Sequence, residues 1–415
     1  MLRMKTIKFY TLGCKVNQYD TQEIRERFLR AGLKERNNGK AADIYLINTC
    51  TVTRNADNDS LGLIRRARRE NPKARIIVTG CLVEQDAGRI KKTEPKAEVV
   101  KMGTFLFFKN KKEKRPHFGI SYFCGHTRAF LKIQDGCNNF CSYCKVPLVR
   151  GASRSKPLSQ IKEEARRLAE NKFKEIVLCG ICLGAYGKDL KPSKTLIDVI
   201  EELEKIEGIL RIRLSSIEAA DVTDELIEKL VRSKKLCHHL HIPIQSGDDE
   251  ILKKMNRRYT SCDYLELVRK IKRSVSGIAI TTDVLVGFPG ETEENFRNTA
   301  GLIKKILPLR VHIFPYSRRE GTQASVYPNE INPGIIKERI SRLKKVADAC
   351  SLTYKREFLG QKMAVLIEGR SKEHPGFWEG YADNYIKALI KSRKNLKNQL
   401  TPVKLKEIGL MAHLY

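Results

Sequence analysis

The chain has 415 residues, 41% of them hydrophobic, and carries a formal net charge of +31 with a pI near 9.7. It is long enough for about two to four domains with cores of their own; its apolar runs fall short of the roughly 18 residues of a membrane span, its charged start is unlike a secretory leader, and twelve cysteines are too sparse for a disulfide scaffold, all of which points to the cytoplasm. So strong a positive field attracts polyanions, chiefly nucleic acid.

Residues 1–108 alternate strand-like runs, "TIKFYTLG", "DIYLINT" and "ARIIVTG", with the helical stretches "DTQEIRERFLRAG" and "SLGLIRRARRE". That alternation predicts a parallel α/β domain. A basic segment, "KNKKEKRP" (109–116), separates it from a second block, 118–350. There "YFC" reads as an apolar strand, and "FLKIQDG", "EIVLCG", "RIRLSS", "HLHIPIQSG", "TTDVLVGFPG" and "RVHIFPYS" repeat a strand-then-helix rhythm. Six such units predict an open, partial (βα)6 barrel. The helical stretch 332–350 leads into a tail, 355–415, whose apolar alternation in "KMAVLIEG", "YIKALIKS" and "TPVKLKEI" predicts a small β-barrel with a basic surface that includes "KSRKNLK".

The cysteines fall into two sets. Cys14, Cys50 and Cys81 each follow one of the first three strands. The C-terminal ends of parallel strands share an edge, so these three thiols are expected to converge there, where open α/β sheets bind their ligands. Cys137, Cys141 and Cys144 lie in "DGCNNFCSYC", on the loop after the first strand of the second block, at the predicted barrel mouth. Three thiolates hold three irons of a cubane cluster and leave the fourth iron open. A zinc site would need a fourth ligand, for which Cys124, with His126 nearby, is the candidate. His239 and His241 in "CHHLHIP" fall on one strand face and His238 on the other, a pattern that packing explains without a metal.

The spacing Cys-x3-Cys-x2-Cys is similar to the signature of radical S-adenosylmethionine (SAM) enzymes. With "TLGCKVNQYDT", "INTCTVT", "TGCLVEQ", "GAYG", "QSGDDEILKKMNRRYT", "DVLVGFPGET" and "FPYSRREGT", the chain resembles a methylthiotransferase over essentially its whole length. The resemblance implies two 4Fe-4S clusters, an auxiliary one on Cys14, Cys50 and Cys81 and a radical one on Cys137, Cys141 and Cys144, with SAM at the open iron. One SAM would methylate a sulfur of the auxiliary cluster, and a second would yield the radical that abstracts hydrogen from an unreactive carbon. No acid–base pair or nucleophilic triad is required. The tail would be a TRAM domain, with Lys391, Arg393 and Lys394 on RNA phosphates and Phe377, Trp378 or Tyr381 stacking on an unpaired base, unless Trp378 fills the barrel core.

The implied cofactor contacts are Gly180 and Gly184, where the backbone would approach SAM, and Ser215, Ser216, Gln245 and Ser246 at later strand ends. Gly287 of "VGFPGET" is another, although a turn capped by Thr292 explains that motif equally. Residues around the first cysteine resemble the branch acting on N6-threonylcarbamoyladenosine in the tRNA anticodon stem-loop, with flavodoxin or ferredoxin as electron donor. The alternatives are isopentenyladenosine in tRNA, an aspartate of a ribosomal protein, or a non-catalytic iron–sulfur RNA-binding protein. Lys145, Cys179 and Cys182 depart from the family pattern, and the last two are expected to pack at an apolar strand end.

Overall fold

The computed structural model describes residues 5–36, 40–107, 119–407 and 411–414, so the basic segment 109–116 lies outside the described residues. Strands β1 (Thr6–Thr11), β2 (Ile44–Thr49) and β3 (Arg75–Gly80) form the centre of an all-parallel, five-stranded sheet edged by the short strands Lys34–Glu35 and Glu98–Val99. The run "IYLINT" is buried at every position, as suits a strand covered on both faces. Helices α1 (Lys15–Arg30), α2 (Arg54–Glu70) and α3 (Cys81–Thr93) each follow one of these strands. Thr53 starts α2 earlier than the apolar pattern suggests, because its side chain accepts the Ala56 N–H.

Six parallel strands follow in chain order: β4 (Arg128–Lys132), β5 (Glu175–Cys179), β6 (Arg211–Leu214), β7 (His239–His241), β8 (Ala279–Val286) and β9 (Arg310–Pro315). They make two three-stranded sheets, joined where Ser216 bridges His241, and so form the expected open barrel. Ile176, Leu178, Ile212, Leu240 and Ile280 pack outward into one continuous core. The intervening positions carry polar groups into the lumen, where Arg213 meets Glu175 and His239 meets Thr281. The stretch "YFC" is a turn rather than a strand. Glu26 of α1 accepts the N–H groups of Ser121 and Tyr122, and Gln22 accepts that of Cys124, so the segment needs no ladder to satisfy its donors.

The tail closes into a five-stranded barrel of β10 (Lys362–Arg370), β11 (Phe377–Ala382), β12 (Lys387–Lys391), β13 (Leu400–Leu405) and β14 (Met411–Leu414), in the order β10-β11-β12-β14-β13. It docks on the N-terminal ends of the central strands. Arg213 pairs with Glu175 at 2.7 Å and donates to the carbonyl oxygens of Ala382 and Asp383. Arg211 reaches the carbonyls of Tyr381 and Ala364, and Arg128 reaches Glu368 and the Tyr385 hydroxyl. Burial pushes the Glu175 carboxyl up, but Arg213 and Arg128 outweigh it and hold it below its ordinary value. At the other end, Tyr19 of α1 is buried in the central core and donates to Glu164 at 2.6 Å, which ties the N-terminal sheet to the barrel. Among the described residues no helix is long and apolar enough to cross a membrane.

Candidate functional site

A pocket of about 390 Å³ opens between the C-terminal edge of the N-terminal sheet and the mouth of the central barrel. Cys14, Cys50 and Cys81 line it on one side and Cys144 on the other, with Lys145, Gln245, Asp283, Leu285 and Phe314 around them. Strand register explains the convergence of the first set. Thr11 stands opposite Asn48 and Thr49 opposite Gly80, so the residues that follow leave the sheet along one edge. Two glycines hold the turns. A Cβ on Gly13 would lie 3.0 Å from Cys50 Sγ, and one on Gly80 would lie 2.4 Å from the Thr49 carbonyl oxygen; both have φ of +98°.

Burial raises the thiol pKa of Cys50 and pushes that of Cys81 up to about 11, with Arg150 opposing at Cys81. Arg150 is a charged residue at this site that the sequence pattern does not single out, as are Asp283 and Arg257. It ends the short helix Val146–Arg150 and is 6% exposed. It pairs with Asp20 and Asp135, each at 3.0 Å, and donates to Asn17 Oδ1. Asn17 in turn donates to the carbonyls of Leu12 and Thr49 beside the first set. One guanidinium thus joins both cysteine loops.

In the second set, Cys144 donates its N–H to the Cys141 carbonyl at 2.9 Å, and Cys137 donates to the Gly151 carbonyl at 3.1 Å. Arg257 Nη1 lies 3.5 Å from Cys141 Sγ and is anchored by Glu218 and the Pro243 carbonyl. Burial pushes Cys144 up to about 12 and raises Cys141, where Arg257 opposes it. Cys137 is the exception, held down at about 7 by a hydrogen bond from Cys182 and by the Asn139 N–H. Cys182 therefore does more than pack at a strand end, since its sulfur also meets Asn139 Nδ2 and Asp221 Oδ2, both at 3.7 Å. Cys179 is fully buried in the core, as expected.

The donor chemistry fits iron–sulfur clusters. Each set offers three soft thiols, and among the described residues neither set has its sulfurs close enough together to grip a single ion. Cys124 and His126 precede β4 whereas Cys137 follows it, so they stand at the opposite end of that strand and supply no fourth zinc ligand. Anaerobic reconstitution should load about eight irons, and changing Cys137, Cys141 and Cys144 to alanine should leave about four. Stoichiometric zinc without iron would contradict this.

Other expected contacts are placed unevenly. Gln245 lines the pocket, with its N–H on the Asp283 carbonyl. Ser215 is buried with an unpartnered hydroxyl, and Ser216 is half-buried next to it. Ser246 instead packs on the helix Glu293–Ile306, near Thr299, and Gly287 makes room for Ile336, 2.5 Å from where its Cβ would be. A Cβ on Gly184 would collide with Asp221, and one on Gly180 with Gln134, so protein atoms already fill the space these glycines leave. Thr292 caps its helix in a capping box, with Glu293 and Glu294 in the first turn. On the tail barrel Lys391, Arg393 and Lys394 are exposed and Phe377 is half-buried. Trp378 is 5% exposed, donates to the Ser392 carbonyl and carries Arg370 on its ring, so it fills the barrel core rather than meeting a base. Tyr381 is half-buried at the docking surface, against Arg128 and Tyr385.

Comparison with known proteins places this geometry. Residues 131–303 match the family model described as the radical SAM superfamily, and residues 6–101 match one described as uncharacterized protein family UPF0004. A Bacillus subtilis protein named threonylcarbamoyladenosine tRNA methylthiotransferase MtaB is 39% identical, over 98% of this chain and 95% of its own. Its namesake from Thermotoga maritima is 37% identical over 92% and 91%. A tRNA-2-methylthio-N(6)-dimethylallyladenosine synthase from Pelotomaculum thermopropionicum is 36% identical over 96% and 95%. Among solved structures, the radical SAM methyltransferase TsrM from Kitasatospora setae superposes with a TM-score of 0.55 at 13% identity, over 78% of this chain and 77% of that one, a likeness of fold.

Proposed function

The chain belongs to the radical SAM methylthiotransferases that modify tRNA, and from that premise we propose that it places a methylthio group on C2 of N6-threonylcarbamoyladenosine beside the anticodon. The observation that carries the reading is the single pocket shared by Cys14, Cys50, Cys81 and Cys144. We assign the auxiliary cluster to Cys14, Cys50 and Cys81 within residues 1–108, the radical cluster to Cys137, Cys141 and Cys144 within 118–350, and RNA docking to 355–415. When bound, the clusters and SAM supply electron transfer, hydrogen abstraction and the methylthio group.

The side chains hold and orient. Arg150 fixes the two cysteine loops against each other, and Arg257 donates to a sulfur of the radical set, which stabilises negative charge there. Leu285, Phe314 and Tyr316 give the pocket an apolar wall that limits water near a reactive carbon. The reading places the enzyme with its tRNA in the cytoplasm, served by a flavodoxin or ferredoxin. Mass spectrometry of tRNA nucleosides tests it. A deletion strain should accumulate N6-threonylcarbamoyladenosine without its 2-methylthio derivative, and loss of the methylthio group from isopentenyladenosine instead would reassign the substrate.

The exposed cations of the tail give a separate test. Changing Lys391, Arg393 and Lys394 to glutamate should weaken stem-loop binding and lower the slope of log affinity against log salt by about 2, at ~0.7 for each phosphate that is no longer neutralised. An unchanged slope would move RNA docking to the other two domains.

A further inference from the structure

Below the cysteine pocket the barrel lumen carries a second polar layer. Asp283 and His312 are register partners on β8 and β9, and His241 on β7 places Nε2 3.2 Å from Asp283 Oδ1. Ligand-type atoms of the three lie within 4.8 Å of one another. Thr281 Oγ1 contacts both His241 Nδ1 and His239 Nε2 at 2.9 Å, and the series ends at His239 Nδ1, buried and without a partner. Arg310, the register partner of Thr281 and two residues before His312 on the same strand face, is exposed, and Lys15, next to Cys14, is half-buried; both are near enough to act electrostatically on His239 and His312. Burial lowers the proton affinity of His239 and His312, and the positive charges of Arg310 and Lys15 add to the effect.

Two imidazoles and a carboxylate suit a divalent cation, but the surrounding field does not. Lys15, Arg128, Arg211, Arg213 and Arg310 are five fixed cations in or around the lumen, against Glu175 and Asp283 inside it and Glu368 at the docked barrel. Three of the arginines crowd the one Glu175, and Lys15 and Arg310 have no carboxylate of their own among the described residues. An anion lowers the energy of such a layer, whereas a dication raises it.

We propose that Lys15, Arg310 and His312 bind the carboxylate of the N6-threonylcarbamoyl group, while Asp283 accepts its hydroxyl or ureido N–H. This rests on the methylthiotransferase reading given above. Adenine carries C2 and N6 on opposite sides of N1, so a base whose C2 meets the cysteine pocket turns its N6 substituent toward the lumen wall. Asp283 belongs to both places, lining the pocket and pairing with His241. A dimethylallyl substituent would cover the same cations without neutralising them, so the layer also selects against that substrate.

The test uses the reconstituted full chain and anticodon stem-loops that differ only at the target adenosine: threonylcarbamoylated, the same group as its methyl ester, or unmodified. Wild type should bind the free carboxylate about tenfold or more tightly than the ester, as expected for charge-assisted hydrogen bonds. The Arg310→Ala/His312→Ala variant, with iron content as the check on folding, should lose most of the preference for the free carboxylate, keeping only what Lys15 supplies, and Arg310→Lys should keep most of it. If the double variant keeps the full preference while wild type methylthiolates the threonylcarbamoyl substrate, the subsite is wrong and the activity stands. If wild type methylthiolates only dimethylallyladenosine, both fall. Stoichiometric binding of Zn²⁺ or Mn²⁺ alone that His312→Ala abolishes would give the layer to a cation and overturn the proposal.

Discussion

Replacing Cys14, Cys50 and Cys81 together by alanine will abolish methylthio transfer while leaving reductive cleavage of SAM in place. The two cysteine sets sit on separate elements. The first leaves the edge of the N-terminal sheet, and the second lies on the loop after β4. Arg257, Glu218 and Asn139, which surround the second set, all come from the central barrel, so nothing that positions it is removed. Cys50 and Cys81 are buried, so their loss leaves small cavities costing about 1 kcal/mol or more each. The triple serine variant, closer in volume, separates that cost from loss of the cluster. 5′-Deoxyadenosine counted by chromatography and methylthio nucleoside counted by mass spectrometry give the two readouts. If both products vanish from a folded variant that retains about four irons, the division of labour is wrong.

The cysteines were legible because their signal is local. Three thiols in one loop need only the spacing Cys-x3-Cys-x2-Cys, and three thiols at strand ends need only the parallel-sheet rule that strand ends share an edge. Gly13 and Gly80 add to that signal, since each precedes a cysteine at a turn no side chain fits. What depends on packing between distant segments was not legible. Arg150 and Arg257 look like any arginine of a basic chain until tertiary structure brings Asp20 to one and Cys141 to the other. Strand alternation leaves Trp378 undecided, because it gives the period but not which face is inside; its contacts with Ser392 and Arg370 decide it. Ser246 and Gly287 carry the residue types of a ligand-binding strand end, yet Thr299 and Ile336 take the space beside them. The turn at "YFC" has no local signal for a similar reason, since Glu26 and Gln22, which satisfy its donors, lie about a hundred residues away.

Arg150→Ala should uncouple the two cysteine sets more severely than any other single substitution outside the cysteines. Arg150 pairs with two carboxylates, Asp20 from α1 and Asp135 from the cysteine loop, and Lys132 shares both of them. Its removal leaves two acidic groups facing one lysine, with Asp20 itself almost fully buried. Breaking a buried pair in this way costs ~3–5 kcal/mol, because the remaining charge keeps its desolvation penalty without a partner. The loss falls on the seam between the sheet and the barrel. Asn17 loses the donor at its Oδ1, and Cys81 loses the cation that opposes the rise in its pKa. The auxiliary cluster should therefore be lost first, so that iron falls from about eight toward about four per chain and methylthio transfer falls with it while SAM cleavage persists. Arg150→Lys keeps one charge but cannot reach both carboxylates and Asn17 with a planar fork, and it should give an intermediate iron count. Eight irons and undiminished methylthio transfer in Arg150→Ala would show that the cysteines hold the auxiliary cluster without help from the seam.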